Sequence, residues 1–327
     1  MEKKNLQLVI KTAVSLGFLY LVLKNVDFGL LLGTLRNCRL SVALAAIFIA
    51  VILSFPLTMR WLILLKSQSS SGKLQFMNLW KLTMVGMLFN NFLPTGAGGD
   101  IAKVFYLVKG EENKLVLGSS VLVDRFIGAV TVITMGVVAG LITPDISPRM
   151  KCILALFLAF LFLIFLFFLN RKIASFFYAG AGKLVPQRIR ETLKNTYGVF
   201  NRYFSAKKSI ASALILSFLL QSVAIFNNYL MSVSLLRGAP APHISLFFIY
   251  VPLIWTSTMI PSLGGLGIRE FTYVYFFSGH MGKENAFALS VLVLLTIIIQ
   301  SFIGAIILLF LRAPFAKKQD NPESCMP

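Results

Sequence analysis

The sequence is poor in the residues on which most hydrolases and metalloproteins depend. Its 327 residues include 2 histidines, 3 cysteines and only 12 aspartates and glutamates. Cys38, Cys152 and Cys325 are scattered, odd in number and fit no zinc spacing, so neither a metal centre nor a disulfide framework is expected. His243 and His280 alone do not make a histidine metal site. No cofactor is expected either. Gly180-Ala181-Gly182-Lys183 invites a phosphate-loop reading, but Phe177 stands where the first glycine belongs and Leu184 where Ser or Thr belongs. No activated Ser or Cys is evident. Charged residues make up 13% of the chain, where soluble domains carry about 25%.

Apolar residues are in excess. They account for 57% of the sequence, Phe alone occurs 30 times, and the mean hydropathy is +0.82. Several runs exceed the roughly 18 residues that separate a bilayer span from a buried helix. The expected fold class is therefore an all-α polytopic membrane protein. The 31 Lys and Arg give a net charge of +19, and they gather between the hydrophobic runs. That placement points to lipid headgroups and the positive-inside rule, not to nucleic acid. Lys3 and Lys4 precede an apolar run from Leu6 to Leu23; Lys11 interrupts it and no small-x-small cleavage site follows, so a retained first span is expected.

Six segments read as full spans: 6–23, 40–65, 115–142, 152–170, 209–236 and 285–311. Two further apolar stretches, 76–109 and 244–280, are each broken near the middle, by Pro94-Thr95-Gly96-Ala97-Gly98-Gly99-Asp100 and by Pro261-Ser262-Leu263-Gly264-Gly265-Leu266-Gly267. The helical piece expected after each break is about ten residues, roughly 15 Å and half a hydrocarbon core. Both stretches therefore read as re-entrant hairpins. With the N- and C-termini cytoplasmic, most Lys and Arg fall on the cytoplasmic side, led by the 171–208 connection, whose only acid is Glu191. The order span, span, hairpin, span then occurs twice with opposite orientation, in a first half 1–142 and a second half 143–312, followed by a polar tail 313–327. Inverted repeats with broken segments in matching places point to a transporter's binding site.

Gly96, Gly98 and Gly99 permit positive φ and close approach of a ligand, or simply turn the hairpin and let helices pack. Asp100 reads either as the N-cap of the second half-helix or as a group that orients a phosphate-binding base. Asp124 and Arg125 lie about ten residues into the third span, near the midplane, where a charge costs roughly 2.5–3.5 kcal/mol. Adjacent positions point about 100° apart, so each needs its own partner. They fit an ion-pair network between helices, or a polar cavity in which Arg125 meets an anionic headgroup. Lys103, Arg125 and Arg269 are the expected positive groups, with Asp100, Asp124 and Glu270 holding them; Asn90 and Asn91 would satisfy turn backbone or touch headgroup oxygens. Phe176, Phe177, Tyr178, Tyr197, Phe200, Tyr203 and Phe204, among Lys183, Arg188, Arg190, Lys194 and Arg202, suggest that the basic connection also lies on anionic lipid.

Asn91-Phe92-Leu93-Pro94 with Gly98-Gly99-Asp100, the intramembrane Asp124-Arg125, and Pro261 with Gly264-Gly265-Leu266-Gly267 and Glu270 resemble the flippase-like membrane family typified by the transmembrane domain of bacterial lysylphosphatidylglycerol synthases. The resemblance spans about residues 5–315. Two positions depart from it: Lys103 stands where an Arg is expected and Leu263 where a second Pro is common. A Lys keeps the charge but loses bidentate geometry toward phosphate. After residue 312 only a short polar tail remains, so the resemblance implies the lipid-translocating half without lysyl transfer. The expected partner is an anionic lipid of the plasma membrane, a phospholipid or polyprenyl phosphate. A membrane-embedded lipid-modifying transferase, or an accessory subunit bound to a lipid-synthesis enzyme, are the alternatives; a homo-oligomer is compatible with either.

Overall fold

The computed structural model describes residues 16–24, 26–68, 74–92, 98–108, 114–144, 148–169, 198, 200–236, 238, 240–258, 262 and 264–310, and among these no strand occurs. The main helices are α1 (16–23), α2 (Phe28–Arg36), α3 (Leu40–Ile52), α4 (Ser54–Lys66), α5 (Phe76–Phe92), α6 (Gly98–Val108), α7 (Lys114–Ile142), α8 (Pro148–Leu169), α9 (Lys207–Leu235), α10 (Ile244–Ser257), α11 (Ile268–Met281) and α12 (Lys283–Phe310), and residues 200–204 are helical as well.

Among the described residues, four stretches are long and apolar enough to cross a bilayer: Leu40–Lys66, Val116–Ile142, Lys207–Leu235 and Lys283–Phe310. The first comprises α3 and α4. Pro56 has no N–H to offer the carbonyl of Ile52, so one helical hydrogen bond is missing where α3 passes into α4. Leu53 keeps right-handed helical angles (φ −59°, ψ −15°), and the chain continues as one apolar rod. Large apolar side chains such as Phe48, Leu219, Phe302 and Leu309 stand exposed around the outside, the inverse of a soluble surface and suited to acyl chains.

α2 is absent from the sequence expectations. Asp27 caps it, accepting from the N–H groups of Gly29 at 2.7 Å and Leu30 at 3.1 Å, and a nine-residue helix results between the first two apolar runs.

Both expected broken stretches are broken. α5 and α6 flank residues 93–97, which include Pro94 and Gly96 and lie outside the described residues. α10 and α11 flank a turn in which Gly264 (φ +58°), Gly265 (φ +78°) and Gly267 (φ +81°) all adopt positive φ; Pro261 lies outside the described residues. α6, at 11 residues, is the expected half-length helix of about 16 Å. α11 is longer than expected, 14 residues or about 21 Å, because nothing interrupts the run 268–281 until Gly282 (φ +83°) ends it.

The two broken pairs exchange partners. α5 packs along α12, and α10 packs along α7. A Cβ on Gly304 of α12 would run into the carbonyl of Met84 and crowd Leu88, while one on Gly136 of α7 would lie 3.0 Å from Pro252 and close to the carbonyl of Phe248. In each crossing a glycine on the long helix meets two residues four apart on the shorter one. This spacing reflects one helical turn.

Three aromatic residues of the basic connection correct the lipid-surface expectation. Phe200, Tyr203 and Phe204 are buried against Leu64, Val123, Ile127, Ile210 and Ala213. The Tyr203 hydroxyl donates to the Val116 carbonyl at 2.7 Å, and burial pushes its phenol up to about 12, so it stays a donor at neutral pH. These residues clamp the entry of α9 onto α4 and α7. Phe176, Phe177, Tyr178, Tyr197 and the basic residues Lys183, Arg188, Arg190 and Lys194 lie outside the described residues.

Candidate functional site

The glycine-rich start of α6 lies flat against α5. A Cβ on Gly99 would collide with the Gly86 carbonyl and the Asn90 side chain, so only glycine fits at this contact. The Gly99 N–H donates to Asn90 Oδ1 at 2.9 Å, which satisfies one of the donors that a helix start leaves open. α6 begins at Gly98. Asp100 therefore lies inside the first turn, and the reading of it as N-cap is corrected.

The carboxylate of Asp100 instead reaches across to α7 and pairs with Nε of Arg125. One residue earlier on α7, Asp124 points another way and forms a two-pronged pair with Arg60 of α4, Nε–Oδ1 at 2.7 Å and Nη2–Oδ2 at 3.0 Å. Arg60 Nη1 also donates to Ser217 of α9 at 2.9 Å; together with the Asp100–Arg125 pair, five side chains tie four helices. Gly128, one turn beyond Asp124, leaves room for the guanidinium: a Cβ there would stand 3.2 Å from Nη1. Arg60 is 4% exposed, whereas the Arg125 side chain remains 45% exposed.

Lys103, one turn along α6, completes the cluster. Its stem lies over Gly86, and its ammonium sits 5.3 Å from the ring centroid of Trp61, within electrostatic reach of Asp100, Asp124, Arg60 and Arg125. Trp61 is fixed by its Nε1–H bond to Ser120 Oγ at 2.9 Å. The Lys103 side chain is drawn inward along α5, not outward to a membrane surface.

The second turn forms a separate centre. Glu270 accepts the Gly267 N–H at 2.6 Å with one carboxylate oxygen and Arg269 Nε and Nη2 at 3.0 and 2.6 Å with the other. Arg269 and Glu270 are 4% and 3% exposed. Gly264 presses on the backbone of Asn91, where a Cβ would stand 2.8 Å from the carbonyl oxygen, and Asn91 Nδ2 donates to Ser301 Oγ of α12 at 2.6 Å. The second turn thus touches the last turn of α5. Beside it lies a cavity of about 430 Å³, lined by Leu88, Asn91, Gly264, Arg269, Ser301 and Phe302 among others and apolar over most of its wall. A smaller cavity of about 250 Å³ adjoins the other crossing, at Gly136 and Pro252.

The expected residues therefore fall into two groups. Asn90, Gly98, Gly99, Asp100, Lys103, Asp124 and Arg125 gather around α5, α6 and α7. Asn91, Gly264, Gly265, Gly267, Arg269 and Glu270 gather at the second turn. Arg60, Trp61 and Ser217 belong to the first group and escaped the sequence reading. The one available signal was Arg60 itself, a charge six residues inside an apolar run, which needs a partner as much as Asp124 does. Among the described residues no group of three or more potential metal ligands occurs.

Gly267 carries a prediction. Its φ of +81° disfavours any side chain, so Gly267→Ala is expected to lower stability by about 1–3 kcal/mol. Gly279→Ala, where nothing lies within 4 Å of the added carbon, is expected to be neutral or to stabilise by up to about 1 kcal/mol. Thermal unfolding of the two purified variants in detergent checks the pair; equal melting temperatures would contradict it.

The model of the family described as "Lysylphosphatidylglycerol synthase TM region" matches residues 8–309. A UPF0104 membrane protein of Pyrococcus horikoshii is 23% identical over 276 residues, covering 76% of this chain and 81% of that protein. No solved structure matches.

Proposed function

Because the chain belongs to the lysylphosphatidylglycerol synthase TM region family, we propose that it is a lipid translocase of the cell membrane, moving a phospholipid or polyprenyl-phosphate lipid with an anionic headgroup. The observation that carries this reading is the Asp100–Arg125 pair with Lys103 beside it, three ionisable groups where a half-length helix meets α7 within an apolar bundle. Ionisable groups at such depth are costly and by default mark a pathway. Six spans, two re-entrant hairpins and cytoplasmic termini complete the architecture. The two halves 1–142 and 143–312 form an inverted repeat, an assignment supported by the exchanged crossings at Gly304 and Gly136. In this mechanism the headgroup contacts Arg125, Lys103 and Arg269 in turn while the tails stay in lipid.

The family's description as part of a synthase favours one second reading, a lipid-modifying transferase. The two separate in one experiment. Proteoliposomes with labelled anionic lipid and no soluble donor are expected to show movement between leaflets. Asp100→Asn and Arg125→Ala are expected to slow it roughly tenfold or more, which is what the loss of one charge-assisted hydrogen bond amounts to. Absence of movement in the wild type, with a new lipid species on chromatography, would replace translocation by transfer. Unchanged movement in both variants would remove the site.

A further inference from the structure

The cavity beside the second turn takes its shape from α12. Leu294, Ile297, Ile298, Ser301, Phe302 and Ala305 line it at spacings of three and four residues, so they form a single stripe of that helix. From first to last the stripe is about 16 Å long, at 1.5 Å per residue. Leu88 of α5 and Gly264 and Leu266 of the second turn add to the wall and make the cavity a trough. Its polar groups are engaged within the protein. Asn91 Nδ2 donates to Ser301 Oγ, the Ser301 hydroxyl donates to the Ile297 carbonyl at 2.8 Å, and Arg269 Nε and Nη2 donate to Glu270. Most of the trough therefore offers a polar group no partner and a hydrocarbon chain close contact. Leu266, Ile298 and Phe302 line it and also stand exposed, so it is continuous with the apolar exterior that suits acyl chains.

We propose that this trough binds one acyl chain of a bilayer phospholipid, and that the bound chain props the second turn against α5 and α12. Length, polarity and volume agree on this occupant. An elongated apolar trough suits a linear chain, not a compact headgroup. A cavity of about 150 Å³ holds a six-carbon ring, and in that proportion about 430 Å³ holds roughly seventeen carbons, one full chain. Such a chain touches Gly264 and Arg269, so its binding stabilises the turn as well as the helices. The proposal goes beyond the translocase reading, because the bound lipid need not cross the membrane.

Two measurements on the full-length protein test it. In proteoliposomes of phosphatidylcholine carrying a photoreactive diazirine midway along one chain, the labelled residues are read by peptide mass spectrometry. Leu88 and Leu294 are expected to be labelled at least threefold more than Leu79 and Met84, which are buried on α5 outside the trough. In an eight-carbon glucoside detergent, whose chain fills about half of the trough, phosphatidylcholine with chains of about eight, sixteen and twenty-two carbons is titrated. The melting temperature is expected to rise saturably by several degrees with the sixteen-carbon lipid. The eight-carbon lipid is expected to give less than half that rise, and the longest no more than the sixteen-carbon one. Ala305→Phe fills the trough and is expected to abolish the rise, while its melting temperature without lipid equals or exceeds that of the wild type. Leu294→Phe replaces it should Ala305→Phe fail to fold, and the labelling needs no variant. Labelling of Leu88 and Leu294 no stronger than of Leu79 and Met84, a rise independent of chain length, a full rise in folded Ala305→Phe, or stabilisation by polyprenyl phosphate alone would each overturn the proposal. A trough that binds without lipid movement removes only the translocase reading; movement by a protein whose trough takes no chain removes only this one.

Discussion

Arg60→Ala is expected to destabilise the protein by about 3–5 kcal/mol, among the largest losses available to a single substitution in this chain. The guanidinium is 4% exposed and makes three hydrogen bonds, two to Asp124 and one to Ser217. Removing it strands the Asp124 carboxylate in an apolar interior and removes the clasp between α4, α7 and α9. Asp124→Asn is expected to cost a comparable amount, because it strands the guanidinium instead. The double replacement Arg60→Met with Asp124→Leu removes both charges and is expected to recover most of the loss, since buried ion pairs stabilise little relative to apolar residues of similar size. Chemical or thermal unfolding in detergent gives all three values. A single-variant loss under about 1 kcal/mol would mean that the pair is solvated or absent, since exposed ion pairs contribute no more than that. A double variant as damaged as the singles would mean that the clasp matters for packing and not for charge.

Gly99→Ala is expected to be the most damaging one-methyl change. The added carbon has no space beside the Gly86 carbonyl and Asn90, and backbone cannot rotate aside as a side chain can. α6 must lift from α5, which costs about 1–3 kcal/mol or more by overpacking and breaks the bond from the Gly99 N–H to Asn90. Lifting α6 also moves Asp100 off Arg125 and Lys103 off Trp61, so lipid movement in proteoliposomes is expected to fall at least as far as in Asp100→Asn. Gly118→Ala is the comparison, because its added carbon meets only the Val104 side chain at 3.3 Å. Similar behaviour of the two variants would show that α6 is not held where the close contact puts it.

The breaks were legible because glycine and proline interrupt apolar runs in a way that neither a span nor a soluble helix tolerates without reason. Asp124 and Arg125 were legible because charge at that depth stands out against Leu and Val. Their partners were not. Arg60 meets Asp124 only through the register at which α4 crosses α7, and no spacing along the chain encodes that crossing. For the same reason Arg269 and Arg125 resemble one another in sequence yet belong to different centres, one closed on its neighbour Glu270 and the other reaching to another helix. Phe200, Tyr203 and Phe204 were misjudged because aromatic residues among basic ones suit a lipid surface and a buried clamp equally well. The Val116 carbonyl that receives the Tyr203 hydroxyl decides between them, and it lies 87 positions away.

The exchange of partners between the two broken pairs constrains how the chain is made. The groove on α5 at Met84 and Leu88 is filled by Gly304, so the first pair stays incomplete until the last described helix has been synthesised. At roughly 5–20 residues per second, that interval is on the order of ten to forty seconds. Throughout it Asn91 lacks the hydroxyl of Ser301 and must find another partner at the insertion site. A nascent chain stalled before α12 should therefore present an unfinished α5 to whatever machinery supervises membrane insertion.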